Sequence, residues 1–227
     1  MKGMRRVIEL GEIDMGLPNR AGVRLGTPRD LDAISGLLGR AFQEDPVYTW
    51  IFPDAEERAR KSPRMFAIFV RQVLRHGMVL TDDGLRGAAL WRKPQLRMGR
   101  LEELGFNFRM FRLLGSRAAV IGRGFAPVEA LHPREPHIYL PLLGTDPSHQ
   151  GHGVGSNLLD PVLRACDESG TLAYLESSKE ANIPFYQRHG FELLEAFTIR
   201  NGPTVWPMQR RACTDQAPSL DPMTYRS

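Results

Sequence analysis

No stretch of the 227 residues approaches the ~18 apolar residues that a membrane-spanning helix needs. The opening MKGMRRVIELGEIDMG carries basic residues, but Glu9, Glu12 and Asp14 break its apolar run, so it does not read as a signal peptide. Cysteine is scarce: Cys166 and Cys213 lie far apart and form no C-x-x-C pair, which gives neither a disulfide framework nor a structural zinc site. A reducing, cytoplasmic setting is the simplest expectation. His132, His137, His149, His152 and His189 fall at no zinc-ligand spacing, so no metal is expected and they read as loop or core histidines. The net charge of +4 is spread along the chain without a basic stripe, and neither nucleic acid nor membrane is expected as a partner. There is no internal repeat and no low-complexity block.

Alternating short strands and helices are present throughout. Val23 to Leu25 reads as a strand, and Thr27-Pro28 as the start of a helix whose apolar face is Leu31, Ile34, Leu37, Leu38 and Phe42. Residues 64–75 repeat that periodicity with Met65, Ile68, Phe69, Val73 and Leu74. A hairpin follows, with one strand ending at Thr81, a turn at Asp83-Gly84 and a second strand running to Trp91. Residues 95–125 have helical tendency and are rich in arginine and phenylalanine; their basic amphipathic part reads as a solvated helix face, with a membrane surface or acidic partner as the alternative. HIYLPLLGT, residues 137–145, is too apolar for a solvent-facing strand and is expected at the centre of a sheet. Later come a helix to about Gly170, the strand LAYLESS, the short helix NIPFYQRHG, and a closing pair of strands, FELLEAFTIR and PTVWPMQR. Residues 1–22 read as an N-terminal extension, 23–210 as one domain and 211–227 as a tail.

Between the central strand and the long helix stands HQGHGVGS, with glycine at 151, 153 and 155. Glycine in a first helical turn costs up to about 1 kcal/mol relative to alanine, so three of them need a reason. A strand, a glycine turn and a helix N-terminus together aim several unpaired N–H groups at one point, at the positive end of the helix dipole. That is an anion site, although a glycine-rich connection without a ligand is the competing reading. The spacing is not that of a Walker loop or of a dinucleotide fingerprint. Pro161 removes one bond from the helix and is expected to kink it.

Gln150 to Gly155 fit the Q/R-x-x-G-x-G/A signature of the GNAT N-acetyltransferases. LLGTDPSHQGHGVGSNLL followed by LAYLESSKEANIPFYQRHGF resembles the puromycin N-acetyltransferase-like branch of that family, Pro161 included, and the likeness covers roughly residues 23 to 210. The resemblance implies an α/β (α+β) GNAT fold: one mixed, mostly antiparallel sheet of about seven strands, flanked by helices and splayed at the cofactor site. It implies acetyl-CoA as cofactor, with Leu143, Gly144 and Thr145 along the pantetheine arm and Gln150, Gly151, His152, Gly153, Val154, Gly155 and Ser156 around the pyrophosphate. Asn182 matches the asparagine that bonds the pantetheine, Phe185 an apolar wall over it, and Tyr186 the tyrosine that protonates the departing thiolate. One departure is His152, where lysine or arginine is frequent and lends the phosphates more charge.

The expected reaction is direct transfer of acetyl to the amine of a small molecule, a drug or metabolite, in a ternary complex. An amine of pKa ~10.4 is roughly 4 to 5 kcal/mol from its free base at pH 7, so the site must remove a proton. Glu176, on the strand after the long helix, is the candidate base, acting through water; simple pairing with an arginine is the other reading. A phenol is a weaker acid than a thiol by about 2 kcal/mol, so Tyr186 must either be acidified by its surroundings or give its proton while the C–S bond breaks. Its other reading is an aromatic packing residue. Trp50, Phe52 and Trp91, with Phe42, are candidate walls of an acceptor pocket, and Asp45 a candidate attractor of a cationic amine; ordinary core placement is equally open for the aromatics. The alternative functions are a protein or peptide N-acetyltransferase and a non-catalytic acyl-CoA-binding sensor, and the closing strands and N-terminal segment are candidates for mediating a homodimer.

Overall fold

The computed structural model describes residues 22–93 and 99–213. The N-terminal extension, the start of the 95–125 segment and most of the C-terminal tail lie outside the described residues. The elements run β1 (Val23–Leu25), α1 (Leu31–Ala41), α2 (Pro46–Ile51), α3 (Ala55–His76), β2 (Met78–Asp82), β3 (Gly87–Arg92), α4 (Arg100–Leu114), α5 (Ala118–Phe125), β4 (His137–Thr145), α6 (Val154–Ser169), β5 (Leu172–Ser177), α7 (Ile183–Arg188), β6 (Glu192–Leu193), β7 (Phe197–Thr198) and β8 (Thr204–Arg210).

Eight strands form one sheet in the order β1-β2-β3-β4-β5-β8-β6, with β7 also paired to β8. Every pairing is antiparallel except β4 with β5. HIYLPLLGT does lie at the centre. On one face α6 and α7 bury Leu158, Leu159, Val162, Cys166 and Tyr186 against Ile138, Leu140, Ala173 and Leu175. On the other, α1 and α3 bury Ile34, Leu37, Leu38, Phe66 and Val70 against Val79, Leu90 and Leu142. The α1 residues belong to the periodic face read from the sequence; of the face read over 64–75, Met65 and Val73 are buried, while Ile68, Phe69 and Leu74 are half-buried and Phe66 and Val70 take the core positions. Removal of these faces from water drives the layering.

Two expectations are corrected. FELLEAFTIR forms two fragments instead of one strand, because β8 carries Pro207. Its carbonyl accepts from the Leu194 amide at 2.9 Å, but it has no N–H to continue the ladder on that side. The helix read over 64–75 begins at Ala55, where Asp54 accepts from the Glu57 amide as N-cap and Glu56 and Glu57 favour the helix dipole. α6 continues through Pro161; the carbonyl that the proline leaves without its helical donor is that of Asn157, an exposed residue.

Candidate functional site

The centre of the sheet opens because β4 bulges. Leu90 pairs with Leu142 but Arg92 pairs with Tyr139, so Leu140 and Pro141 together oppose Trp91. The extra residue exchanges the faces of the strand. Ile138 and Leu140 point to the α6 side, whereas Leu142 joins the α1 side and a β-carbon at Gly144 would stand 2.7 Å from Leu38 Cδ2. Pairing between β4 and β5 stops at Tyr139 and Tyr174. Beyond it Leu140–Thr145 and Leu175–Ser177 diverge as the two sides of a wedge.

The glycine turn closes one end of this wedge. Gly151 and Gly153 both have φ of 78°, in the left-handed region that disfavours any β-carbon, and nothing lies within 4 Å of where one would project. Gly155 has a different reason: its β-carbon would meet Phe185 Cζ at 3.3 Å, so α7 leans on the first turn of α6. The first backbone bond of α6 runs from the Asn157 amide to the Gly153 carbonyl at 3.0 Å, which leaves the amides of Val154, Gly155 and Ser156 directed out of the helix end. No side chain caps them and no acidic residue stands in that turn, whereas α2 and α3 are capped by Asp45 and Asp54. The turn is braced from outside. Gln150 Nε2 donates to the Thr145 carbonyl, the His152 ring bonds the Gln150 carbonyl at 2.8 Å, and Asp146 holds Ser148 and pairs with Arg40 of α1 at 2.7 Å. Asn182, exposed at the start of α7, makes no capping bond with its side chain. Phe185 packs edge-on against Tyr186, ring centroids 5.1 Å apart.

Tyr186 is buried beside the wedge. Burial, and then the charge of Asp45, push its phenol above the ordinary range, so it stays protonated and is not acidified. Of the two routes open to it, the one through acidification is corrected.

Glu176 faces the wedge from the other side, next to the last residue pair of the β4–β5 ladder, and its side chain is 8% exposed. Burial pushes its carboxyl up to about 7, against the opposing effect of the Tyr139 and Tyr174 phenols. Its Oε1 and the Tyr174 hydroxyl are buried without a hydrogen-bond partner, two polar atoms available to a ligand. His132 Nε2 stands 3.5 Å from that Oε1. Sequence reading set His132 and His137 aside and did not single out Tyr139 or Tyr174. A glutamate in a strand signals itself; the rings that surround it come from the connection before β4 (His132), from β4 (Tyr139) and from β5 (Tyr174), and nothing in the sequence announces that they meet.

The acceptor-side residues scatter. Trp91 is fully buried on the α6 side and Phe52 is core on the α1 side, so both are corrected from pocket wall to packing. Asp45, 2% exposed, is occupied: it accepts from the amides of Val47 and Tyr48 and from the Ser178 hydroxyl, which corrects its reading as an open attractor for a cation. Trp50 is half-buried beside Phe125, ring centroids 6.0 Å apart.

Among the described residues no group of three or more His, Cys, Asp or Glu is placed to hold a metal, and no helix is long and apolar enough to cross a membrane.

Residues 120–212 match the family model described as an acetyltransferase (GNAT) domain. An uncharacterized N-acetyltransferase of Schizosaccharomyces pombe is 28% identical over 193 residues, 80% of this chain and 78% of the relative. A Corynebacterium glutamicum structure described as histone acetyltransferase HPA2 and related acetyltransferase superposes with a TM-score of 0.67 at 24% identity, covering 87% of this chain and 99% of the other. The apo form of an agmatine N-acetyltransferase mutant superposes with a TM-score of 0.56 at 16% identity, covering 83% and 98%. The two structures establish the fold: an open, mostly antiparallel eight-stranded sheet flanked by helices, shared with GNAT proteins. A GNAT acetyltransferase domain thus matches residues 120–212, and the chain is an acetyltransferase.

Proposed function

We propose that the protein transfers an acetyl group from acetyl-CoA directly to the amine of a small molecule, both bound at the wedge between β4 and β5. The observation that carries this reading is the open N-terminus of α6, uncapped and set at the end of a strand whose inner edge has no partner. The residues fit the cofactor. The amides from Gly151 to Ser156, with Gln150 and His152 bracing the turn, would hold its diphosphate; the backbone of Leu143, Gly144 and Thr145 would pair with its pantetheine arm; Asn182 would bond that arm and Phe185 cover it. Bound there, the cofactor supplies an acetyl group activated as a thioester. Glu176 takes a proton from the incoming ammonium, directly or through water, and its raised pKa suits a base working near neutral pH. Tyr186, kept protonated by its surroundings, would be the hydrogen donor to the departing sulfur, acting in concert with its departure since transfer to a free thiolate would run uphill.

A small amine is favoured over a peptide by the depth of Glu176, which is walled by Tyr139, Tyr174 and His132, and the agmatine N-acetyltransferase among the structural neighbours supports the same class. The second reading, a protein or peptide amine, has support in the histone acetyltransferase description of the Corynebacterium neighbour. The resemblance to the puromycin branch places amino-nucleosides in the first panel to try. Thiol release from acetyl-CoA is the test, against puromycin, polyamines, amino acids, arylalkylamines and short peptides. Release with one or more small amines and none with peptides is the expected result. Release with peptides alone selects the second reading, and cofactor binding without release from any amine selects a non-catalytic sensor.

A further inference from the structure

We propose that His132 is a positioning residue for the base: His137 holds its ring in the tautomer whose Nε2 lone pair faces Glu176 Oε1, so that it accepts the hydrogen bond of Glu176 once that carboxylate has taken a proton. The inference rests on the reading of Glu176 as base.

The tautomer follows from a chain of contacts. His137 Nδ1 lies 2.8 Å from the carbonyl of Glu135, and a carbonyl only accepts, so this nitrogen carries the hydrogen. In a neutral ring the other nitrogen, Nε2, is then an acceptor, and it lies 3.0 Å from His132 Nδ1, which must donate to it. His132 Nε2 is left with its lone pair, 3.5 Å from Glu176 Oε1. Both rings are neutral at pH 7. Burial, then the nearby His137 and Arg92, push His132 down to about 4, and burial outweighs the Glu135 contacts in lowering His137. The rings of Tyr139 and Tyr174 pack against His132 with centroids 4.6 and 4.7 Å away, which fixes its plane.

A lone pair facing an ionised carboxylate oxygen is two acceptors in opposition, and one hydrogen on Oε1 turns the opposition into a hydrogen bond. That is why Oε1 has no partner as it stands. The other groups facing the pair come from four elements. The phenols of Tyr139 on β4 and Tyr174 on β5 favour the anion, Arg92 on β3 favours it by charge, and Glu129 before β4 favours the protonated form. Arg92 is held over the Tyr139 ring at 5.0 Å and pairs with Glu129 at 3.7 Å. In the step itself an N–H bond of the ammonium breaks, its electron pair stays on nitrogen, an O–H bond forms at Oε1, and the hydrogen is shared with His132 Nε2. The deprotonated amine is the only other product.

The direct test is ¹⁵N NMR of histidine-labelled protein, with neither substrate nor cofactor added. His132 is expected as the Nδ1–H tautomer, with its bare Nε2 resonance moving as Glu176 titrates near pH 7; a His132 protonated at Nε2 overturns the proposal. In kinetics, His132→Gln presents an amide N–H to the carboxylate, and the acidic limb of kcat/KM is expected to move about one unit to lower pH, with kcat on the alkaline plateau lower by up to about tenfold. His137→Phe, which frees the tautomer, moves the limb in the same direction by less. Glu176→Gln separates the two readings. If it abolishes the limb while His132→Gln leaves the limb in place, the positioning role fails and the base stands. If Glu176→Gln leaves the limb untouched, the base fails and this inference falls with it.

Discussion

Ser178, one residue past the end of β5, donates its hydroxyl to the buried carboxylate of Asp45, 133 residues earlier in the chain. Asp45 is at the same time the N-cap of α2, and its charge reaches Tyr186 on α7. One carboxylate thus ties the α1–α2 connection to the tip of β5 and sets the potential at the candidate acid, across the gap where β4 and β5 part.

Removing that carboxylate tests the tie. Asp45→Ala deletes a cap and orphans the half-buried Ser178 hydroxyl, for an expected loss of roughly 2 to 3 kcal/mol in urea unfolding. Asp45→Asn keeps an acceptor for the Val47 and Tyr48 amides and is expected within about 1 kcal/mol of the parent. Burial raises the pKa of Asp45 despite its donors, so the native state holds this proton more tightly than the unfolded chain does. Its contribution to stability is therefore full below the ordinary aspartate range and is lost as pH rises through the folded value. The asparagine variant should show a flatter stability profile there.

Glu176→Gln has two expected signatures. Turnover at pH 8 should fall by about 10²-fold or more, and the acidic limb of kcat/KM near 7 should vanish. Stability should move the other way. The folded pKa, raised from 4.5 to about 7, means that Glu176 stabilises the fold below about 4.5 and loses that contribution as pH climbs through 7. Glutamine does not ionise, so the variant should gain on the parent between pH 5 and 8 in parallel unfolding curves.

The fold was largely legible because its carriers are local. Periodicity marks the face of α1 and part of that of α3, Asp83-Gly84 marks the hairpin, and Gly170, in the left-handed conformation, ends α6 where it was expected to end. The eighth strand was hidden because only Pro207, on the partner strand, divides FELLEAFTIR. In the site, the glycine turn announces itself as three costly residues in sequence. The surroundings of Glu176 do not: His132, Tyr139 and Tyr174 reach it from a connection and two strands, and their meeting depends on the β4 bulge, where Pro141 gives no periodic warning. Trp91 misled for a related reason, since an aromatic in a strand reads alike whether its face meets a pocket or the core.

Tyr186→Phe should separate chemistry from binding. The hydroxyl matters as the sulfur departs, so kcat should fall by about 10²-fold or more while acetyl-CoA affinity, read by calorimetry, stays within about threefold. The ring itself is core, packed against Phe185 and Phe191, and phenylalanine preserves it. Equal losses in turnover and affinity would assign Tyr186 to packing alone.

The last prediction isolates the backbone donors. Gly153→Ala puts a β-carbon at φ of 78°, where the strain costs about 1 kcal/mol, yet no neighbour lies within 4 Å to be displaced, so the fold should tolerate it. The strain is relieved by turning the Gly153 peptide, and that turn redirects the amides at the mouth of α6. Coenzyme A should therefore bind about tenfold more weakly, a loss equivalent to one charge-assisted hydrogen bond. His152→Ala is the control: the exposed ring bonds only the Gln150 carbonyl, so affinity should change by about twofold or less if main-chain donors dominate. The reverse ranking, with His152→Ala the costlier change, would mean that a side chain and not the glycine turn holds the diphosphate.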